Sequence, residues 1–295
     1  MTHLFYGKKL NVELVFKNRI AGYKYEGKFN MEKKSLLFFD IDGTIFDDQR
    51  QLPKSVRPAM EEARNKGCQL VINTGRTLCQ IDRRLDGFPL DGWIMGCGTR
   101  IIYHGETIQS MEYDLKSSLK LRKIFFDLKI PLVYECDTGM YFDPDFSSHP
   151  DVKRLRKWSE EREIYREITE SDADFRAVKM FCFTPEASIK ALEKLSAQIG
   201  MPYTAIKRGP DTWEVVPEGY SKGRGIDILR QRIGVELEDC YAFGDSTNDL
   251  SMLQHVPHSI AMGNAAPEVK SVCSYVTDLP ENDGIEKAMR HFWLI

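Results

Sequence analysis

Leu36-Leu37-Phe38-Phe39-Asp40-Ile41-Asp42-Gly43-Thr44 is the stretch from which the fold of this chain is read. Four large apolar residues run without a break into two carboxylates, a glycine and a hydroxyl. A strand with one solvated face alternates in polarity. A continuous apolar run fits a strand covered on both faces, as in parallel sheets. The polar residues then fall at the strand's carboxyl end, which is the edge where open α/β sheets hold their ligands.

The same rhythm extends outward from this stretch. Val56, Met60 and Ala63 share one face of a predicted helix closed by Gly67. Residues 68–72 form a second apolar strand that runs into Asn73-Thr74-Gly75-Arg76. A helix over about 77–86 and a strand around 93–95 follow. Near the carboxyl terminus a helix bearing Ile226, Leu229 and Ile233 stops at Gly234, and strand 240–243 enters Gly244-Asp245-Ser246-Thr247-Asn248-Asp249. A short helix with Leu250 and Leu253, strand 259–262 and a helix with Ile285, Ala288 and Met289 complete the series. This alternation predicts an α/β fold, a doubly wound parallel (Rossmann-like) sheet with right-handed crossovers.

Residues 113–211 break the alternation. They read as helix 115–128, strands near 131–136 and 140–142, strand 176–183, helix 185–199 with Thr184 as its cap, and strand 202–206. The expected organisation is an N-terminal extension over 1–30, a core domain in two parts (31–112 and 212–295) and an inserted α+β cap over 113–211. A chain of 295 residues suits such a two-domain plan. The extension has no clear helical or strand period, and Met31 stands where the fold is expected to begin.

Composition narrows the function classes. Residues 1–30 carry six basic and two acidic side chains, whereas the remainder carries 35 basic and 42 acidic ones. A body this acidic lacks the basic stripe of a nucleic-acid binder and favours a small ligand held by a few local cations. No apolar run approaches the ~20 residues that span a bilayer, so no membrane role is expected. The seven cysteines are an odd number with no C-x-x-C pair, which fits buried thiols in a reducing cytoplasm.

Three polar clusters, at Asp40/Asp42, Thr74 and Asp245/Asn248/Asp249, lie at the ends of three apolar strands. Adjacent strands would bring them together. Asp40, Asp42 and Asp245 then form a hard oxygen site suited to Mg²⁺. Alone, D-x-D-G reads as an acidic turn in which Gly43 supplies a positive φ; a matching acidic cluster on another strand end favours the metal site. The Thr74 hydroxyl and the Gly75 and Arg76 amides make a candidate phosphate seat. Lys222, just ahead of a helix, is a candidate phosphate cation that in isolation reads as a surface lysine. Asn248 and Asp249 are candidates for both helix capping and the metal site.

The ordered set DIDGT (40–44), NTGR (73–76), YSKG (220–223) and GDSTND (244–249), with AMGNA at 261–265, resembles the haloacid dehalogenase superfamily, in particular its Cof-type metabolite phosphatases. The resemblance covers about residues 35–295. It implies a Mg²⁺-dependent phosphatase acting on a small phosphorylated metabolite, with Asp40 as nucleophile and Asp42 as general acid/base. It further implies that Thr74, Gly75, Lys222 and Asn248 hold the phosphoryl group. Asp40, the Asp42 carbonyl and Asp245 would bind the metal, with Asp249 beside it or orienting Lys222. Many relatives have Asn-Gly-Ala where this chain has Cys97-Gly98-Thr99, so a substrate contact from that Asn is not carried over, and Cys97 is expected to be structural.

In the mechanism so implied, Asp40 attacks in line and Asp42 protonates the leaving oxygen. A neighbouring carboxylate and burial are expected to raise the pKa of Asp42 for that task. A phosphotransferase or phosphomutase on the same fold would use the same residues. A non-catalytic metabolite-binding protein would be signalled by loss of Asp40 or Asp245, and both are present. Arg76, Arg100 and Arg208 are further candidates to reach a substrate, whose identity the motifs do not spell out.

Overall fold

Residues 35–169 and 174–295 are described in the structure, a computed structural model. The expected extension over 1–30 and the start of the fold at Met31 lie outside the described residues. Along the chain, β1 (Leu36–Phe39), α1 (Val56–Asn65), β2 (Gln69–Asn73), β3 (Gly92–Met95), β4 (Arg100–Tyr103) and β5 (Glu106–Ser110) come first. Next are α2 (Leu115–Asp127), β6 (Leu132–Cys136), β7 (Met140–Phe142), α3 (Pro150–Glu160), β8 (Tyr165–Glu167), β9 (Ala177–Phe183), α4 (Glu186–Gln198), β10 (Tyr203–Gly209) and β11 (Thr212–Pro217). The last group is α5 (Lys222–Ile233), β12 (Cys240–Gly244), α6 (Leu250–Leu253), β13 (His258–Ala261), α7 (Pro267–Lys270), β14 (Tyr275–Val276) and α8 (Gly284–His291).

Eight strands form one sheet in the order β14-β13-β12-β1-β2-β3-β4-β5. The pairs from β14 to β3 are parallel, and β4 and β5 extend the edge antiparallel. Helices cover both faces, as the unbroken apolar strands require. Leu37, Phe39, Leu70 and Ile72 pack with Met60 of α1 and Met289 of α8. Leu36, Phe38 and Val71 pack on the other side with Ile226 and Leu229 of α5 and Met252 of α6. Each such side chain contributes about 1.5–3 kcal/mol on burial, so the position of the strand ends is firmly set by the core behind them.

The second sheet runs β10-β11-β9-β6-β7-β8, antiparallel except for β7 with β8. One face is closed by Leu121 and Phe125 of α2 and by Ile189 and Leu192 of α4. Its other face carries Glu135, Lys179 and Glu214 and looks onto the first sheet's strand ends.

Several expectations are corrected. Residues 77–86 form two separate turns of 3-10 helix, Leu78–Gln80 and Arg83–Leu85, and no continuous helix. The Asp82 carboxylate accepts the Arg84 N–H at 2.9 Å, and such a side-chain bond competes with helix continuation. Residues 212–217, expected in the second part of the core, are a strand of the second sheet, paired with both β10 and β9. Pro185 rather than Thr184 is the cap residue of α4. The β4–β5 hairpin and α3 were not anticipated; His104 (φ 46°) and Gly105 (φ 79°) supply the two positive φ angles of a tight two-residue turn. No helix among the described residues is long and apolar enough to cross a membrane.

Candidate active site

The central strand decides the geometry. Phe39 of β1 lies in register with Phe243 of β12 on one side and Ile72 of β2 on the other. Asp40 therefore sits between the departing ends of two neighbours, with Asp245 just beyond one and Thr74 just beyond the other. All three line a single cavity of about 490 Å³, together with Asp42, Gly75 and Asn248.

Carboxylate oxygens of Asp40, Asp245 and Asp249 all come within 4.8 Å of one another. Thr44 Oγ1 donates to Asp245 Oδ1 at 3.1 Å. Gly43 has φ +80°, and a Cβ there would collide with the Asp245 carboxylate, so this turn needs glycine for both conformation and space. Asn264, from the AMGNA stretch, holds the Gly43 carbonyl through Nδ2 at 3.0 Å.

Lys222 is fully buried at the start of α5 and donates to Asp40 Oδ1 and Asp249 Oδ1, each at 2.6 Å. Burial works against its charge, yet Asp249 and Asp40 outweigh that effect and raise its pKa above the ordinary lysine value. Burial first, then Asp249 and Asp42, push the Asp40 carboxyl up to about 7 against the pull of Lys222. Asp245 is pushed up to about 8 by burial and by the charges of Asp249 and Asp40. Three anions against one ammonium is a donor set that fits a divalent hard cation. The second oxygen of Asp249 accepts the Asp245 and Ser246 amides at 3.0 Å each, so this side chain fastens the loop after β12 while also holding Lys222.

Asp42 corrects an expectation. Its carboxylate is not part of the three-acid cluster; it takes both forks of Arg76, with Nη2 to Oδ1 at 2.6 Å and Nε to Oδ2 at 2.8 Å. Burial favours the neutral acid, but Arg76 prevails and holds Asp42 below its ordinary pKa. The rise expected from a neighbouring carboxylate is thus reversed by an arginine that follows Gly75 in sequence.

Thr74 is buried, and its hydroxyl accepts the Arg76 amide at 3.2 Å. No helix starts at Gly75, so the anticipated helix terminus is absent from this seat. Asn248 Oδ1 accepts from Ser246 Oγ at 2.8 Å. Among the arginines, Arg208 Nη1 donates to Ser246 Oγ at 3.2 Å and lines the cavity, whereas Arg100 is tied to Asp137 at 2.6 Å. Cys97 sits in the left-handed region (φ 58°, ψ 41°), a conformation that asparagine tolerates better than most residues. Burial raises its thiol pKa well above the ordinary value, consistent with a structural residue.

A doubly wound core whose strand ends carry three carboxylates and a lysine beneath an inserted α+β cap defines a phosphoryl-transfer type of site. The model of the haloacid dehalogenase-like hydrolases matches residues 37–289. The chain belongs to that family and is a hydrolase of it, and the Cof-type resemblance is borne out with it. It is 29% identical over 264 residues to YkrA of Bacillus subtilis, spanning 88% of this chain and 98% of that one. It is 28% identical to the 5-amino-6-(5-phospho-D-ribitylamino)uracil phosphatase YcsE of Bacillus subtilis, spanning 88% and 96%. Among solved structures, the HAD subclass IIB sugar phosphatase BT4131 superposes with a TM-score of 0.74 at 28% identity, covering 88% of this chain and all of the other.

Proposed function

We propose that the protein is a Mg²⁺-dependent phosphatase that hydrolyses the monoester of a small phosphorylated metabolite through an aspartyl-phosphate on Asp40. The observation that carries this reading is Lys222, buried between Asp40 and Asp249 next to the Asp40/Asp245/Asp249 cluster. The names of YcsE and of the sugar phosphatase support a small phosphorylated substrate.

Asp40 and Asp245 would hold the metal with the Asp42 carbonyl, and Asp249 would serve from behind by orienting Lys222. The ion's contribution when bound is to offset the repulsion between the Asp40 carboxylate and a phosphoryl dianion. Asp40 attacks phosphorus in line with the ester oxygen, and the P–O bond to the leaving group breaks as the Asp40 oxygen bonds to phosphorus. Thr74, Gly75, Lys222 and Asn248 offer donors to the equatorial oxygens. Asp42 gives a proton to the departing alkoxide and later takes one from the water that attacks the acyl-phosphate. The first of these tasks requires its pairing with Arg76 to loosen as the substrate's dianion competes for the guanidinium.

Purified protein assayed with Mg²⁺ against a panel of phosphate monoesters should release inorganic phosphate, and excess chelator should abolish the release. Full turnover in chelator would overturn the metal-dependent reading.

A further inference from the structure

The cap places a second charged cluster in the same cavity. Glu135 in β6, Lys179 in β9 and Glu214 in β11 lie on three adjacent strands and on one face of the sheet. Glu135 stands directly opposite Lys179 in register. Lys179 Nζ donates to Glu214 Oε1 at 2.6 Å and forms an ion pair with Glu135. All three side chains are buried, yet each lines the cavity that holds Asp40, Thr74 and Asn248.

Residues of the first sheet's domain add donors to both glutamates. Gln80 Nε2 donates to Glu135 Oε1 at 3.1 Å, and Cys97 Sγ to Glu214 Oε1 at 3.3 Å. A Cβ added to Gly75 would come 2.9 Å from Glu214 Oε1 and 3.2 Å from Asn248 Nδ2, so the cluster abuts the phosphate seat. Burial opposes the charge on Glu214, but Lys179 and Arg208 overcome it and lower that carboxyl to about 2. Lys179 is raised by its two glutamates against the same penalty. Lys179 and Glu214 are thereby held in their charged forms, and Arg208 adds a second positive charge beside Glu214.

A buried ion triad is a poor device for stability, because apolar side chains of the same volume usually do as well or better. Its value must lie in what the cavity admits. Two carboxylates have lone pairs for hydroxyl protons and one ammonium has protons for hydroxyl oxygens, a pattern that vicinal alcohols satisfy in both senses. Trp158 and Phe181 supply an apolar wall for the carbon skeleton between the hydroxyls.

We propose that Glu135, Lys179 and Glu214 read the hydroxyl groups of the leaving group, so that the enzyme selects the phosphate ester of a polyol. This rests on the phosphatase reading above. A planar aryl leaving group makes none of these bonds.

The test is the ratio of kcat/KM for a hexose 6-phosphate or ribitol phosphate to that for p-nitrophenyl phosphate, measured with Mg²⁺. Wild-type protein should favour the polyol ester. Glu214→Gln and Lys179→Met should each lower that ratio about 10- to 100-fold, chiefly through KM, as expected for a lost charged hydrogen bond. Glu135→Gln keeps the shape of the site and provides the second variant should Lys179→Met fail to fold. A proportional fall on both substrates would mark the cluster as structural and overturn the proposal. So would wild-type preference for the aryl ester. Turnover of aryl phosphate without any polyol ester would sink this inference alone; no Mg²⁺-dependent turnover of any ester would sink the phosphatase reading as well.

Discussion

Lys222 donates to Asp40 Oδ1 at 2.6 Å although 182 residues and an entire second sheet separate them along the chain. The contact exists because α5 begins at Lys222 and packs Ile226 and Leu229 against Leu36 and Phe38 of the strand that delivers Asp40. Among the ion pairs of the described residues, this ammonium is the only positive charge that touches either Asp40 or Asp249. Lys222→Met should therefore strand both and cost about 3–5 kcal/mol of unfolding free energy, the usual penalty for breaking a buried pair from one side. Chemical denaturation measures this directly. An unchanged midpoint and slope would mean that the carboxylates are neutral in the folded protein.

The raised carboxyls give a pH dependence of defined sign. Asp40 at about 7 and Asp245 at about 8 hold protons in the folded chain that ordinary aspartates have released. Between about pH 4 and 8 the native state thus binds more protons than the unfolded one, and stability falls as pH rises through that window. In chelator, the melting temperature should drop from pH 5 to pH 8, and Asp245→Asn should flatten the slope. Because protons and Mg²⁺ compete for the same oxygens, added Mg²⁺ should raise the melting temperature more at pH 8 than at pH 5. Equal Mg²⁺ effects at the two pH values would contradict this competition.

How much of this was legible in the sequence follows from what local pattern can encode. The run at β1 is apolar without interruption, as are residues 70–72 of β2 and 240–243 of β12, and that implies burial on both faces. Their adjacency, which unites Asp40, Thr74 and Asp245, is a matter of sheet order and was reached through the order of the motifs. Arg76 was legible as an amide of the phosphate seat and as a candidate substrate arginine, but nothing periodic tells that its fork meets Asp42. Glu135, Lys179 and Glu214 did leave a trace, as single charges inside otherwise apolar strands, but their meeting depends on antiparallel register. Residues 212–217 were expected in the second part of the core domain, because no local signal marks which sheet a short segment joins; only the partners β9 and β10 decide.

The Arg76–Asp42 pair should show itself in kinetics. Arg76 lowers the pKa of Asp42 against the opposing effect of burial, so its removal must let that pKa rise. With an activated aryl phosphate, breakdown of the acyl-phosphate would limit turnover in the proposed mechanism, and Asp42 would have to be ionised to act as its base. In Arg76→Gln the acidic limb of kcat against pH should therefore move to higher pH, with the ionised form lost earlier as pH falls. A limb that stays in place would show that Arg76 does not govern this carboxyl during turnover.

The two aspartates separate covalent catalysis from attack by a metal-activated water. Asp40→Asn removes the proposed nucleophile and should reduce turnover to background while leaving a folded protein, because the amide keeps the shape of the buried site. Asp42→Asn keeps the nucleophile but loses both the proton donor and the later base. It should slow phosphorylation by a poor leaving group, and it should slow breakdown of the acyl-phosphate even after a good one. With an activated aryl phosphate, Asp42→Asn protein should release close to one equivalent of phenol in a burst and then stall. Mass spectrometry after rapid acid quench should find one added phosphoryl group on the peptide that contains Asp40. Hydrolysis of an oxygen-chiral phosphorothioate ester in ¹⁸O-water supplies the complementary readout. Two successive in-line displacements, first by Asp40 and then by water, retain configuration at phosphorus, whereas one direct attack by water inverts it, and inversion would rule out the covalent route.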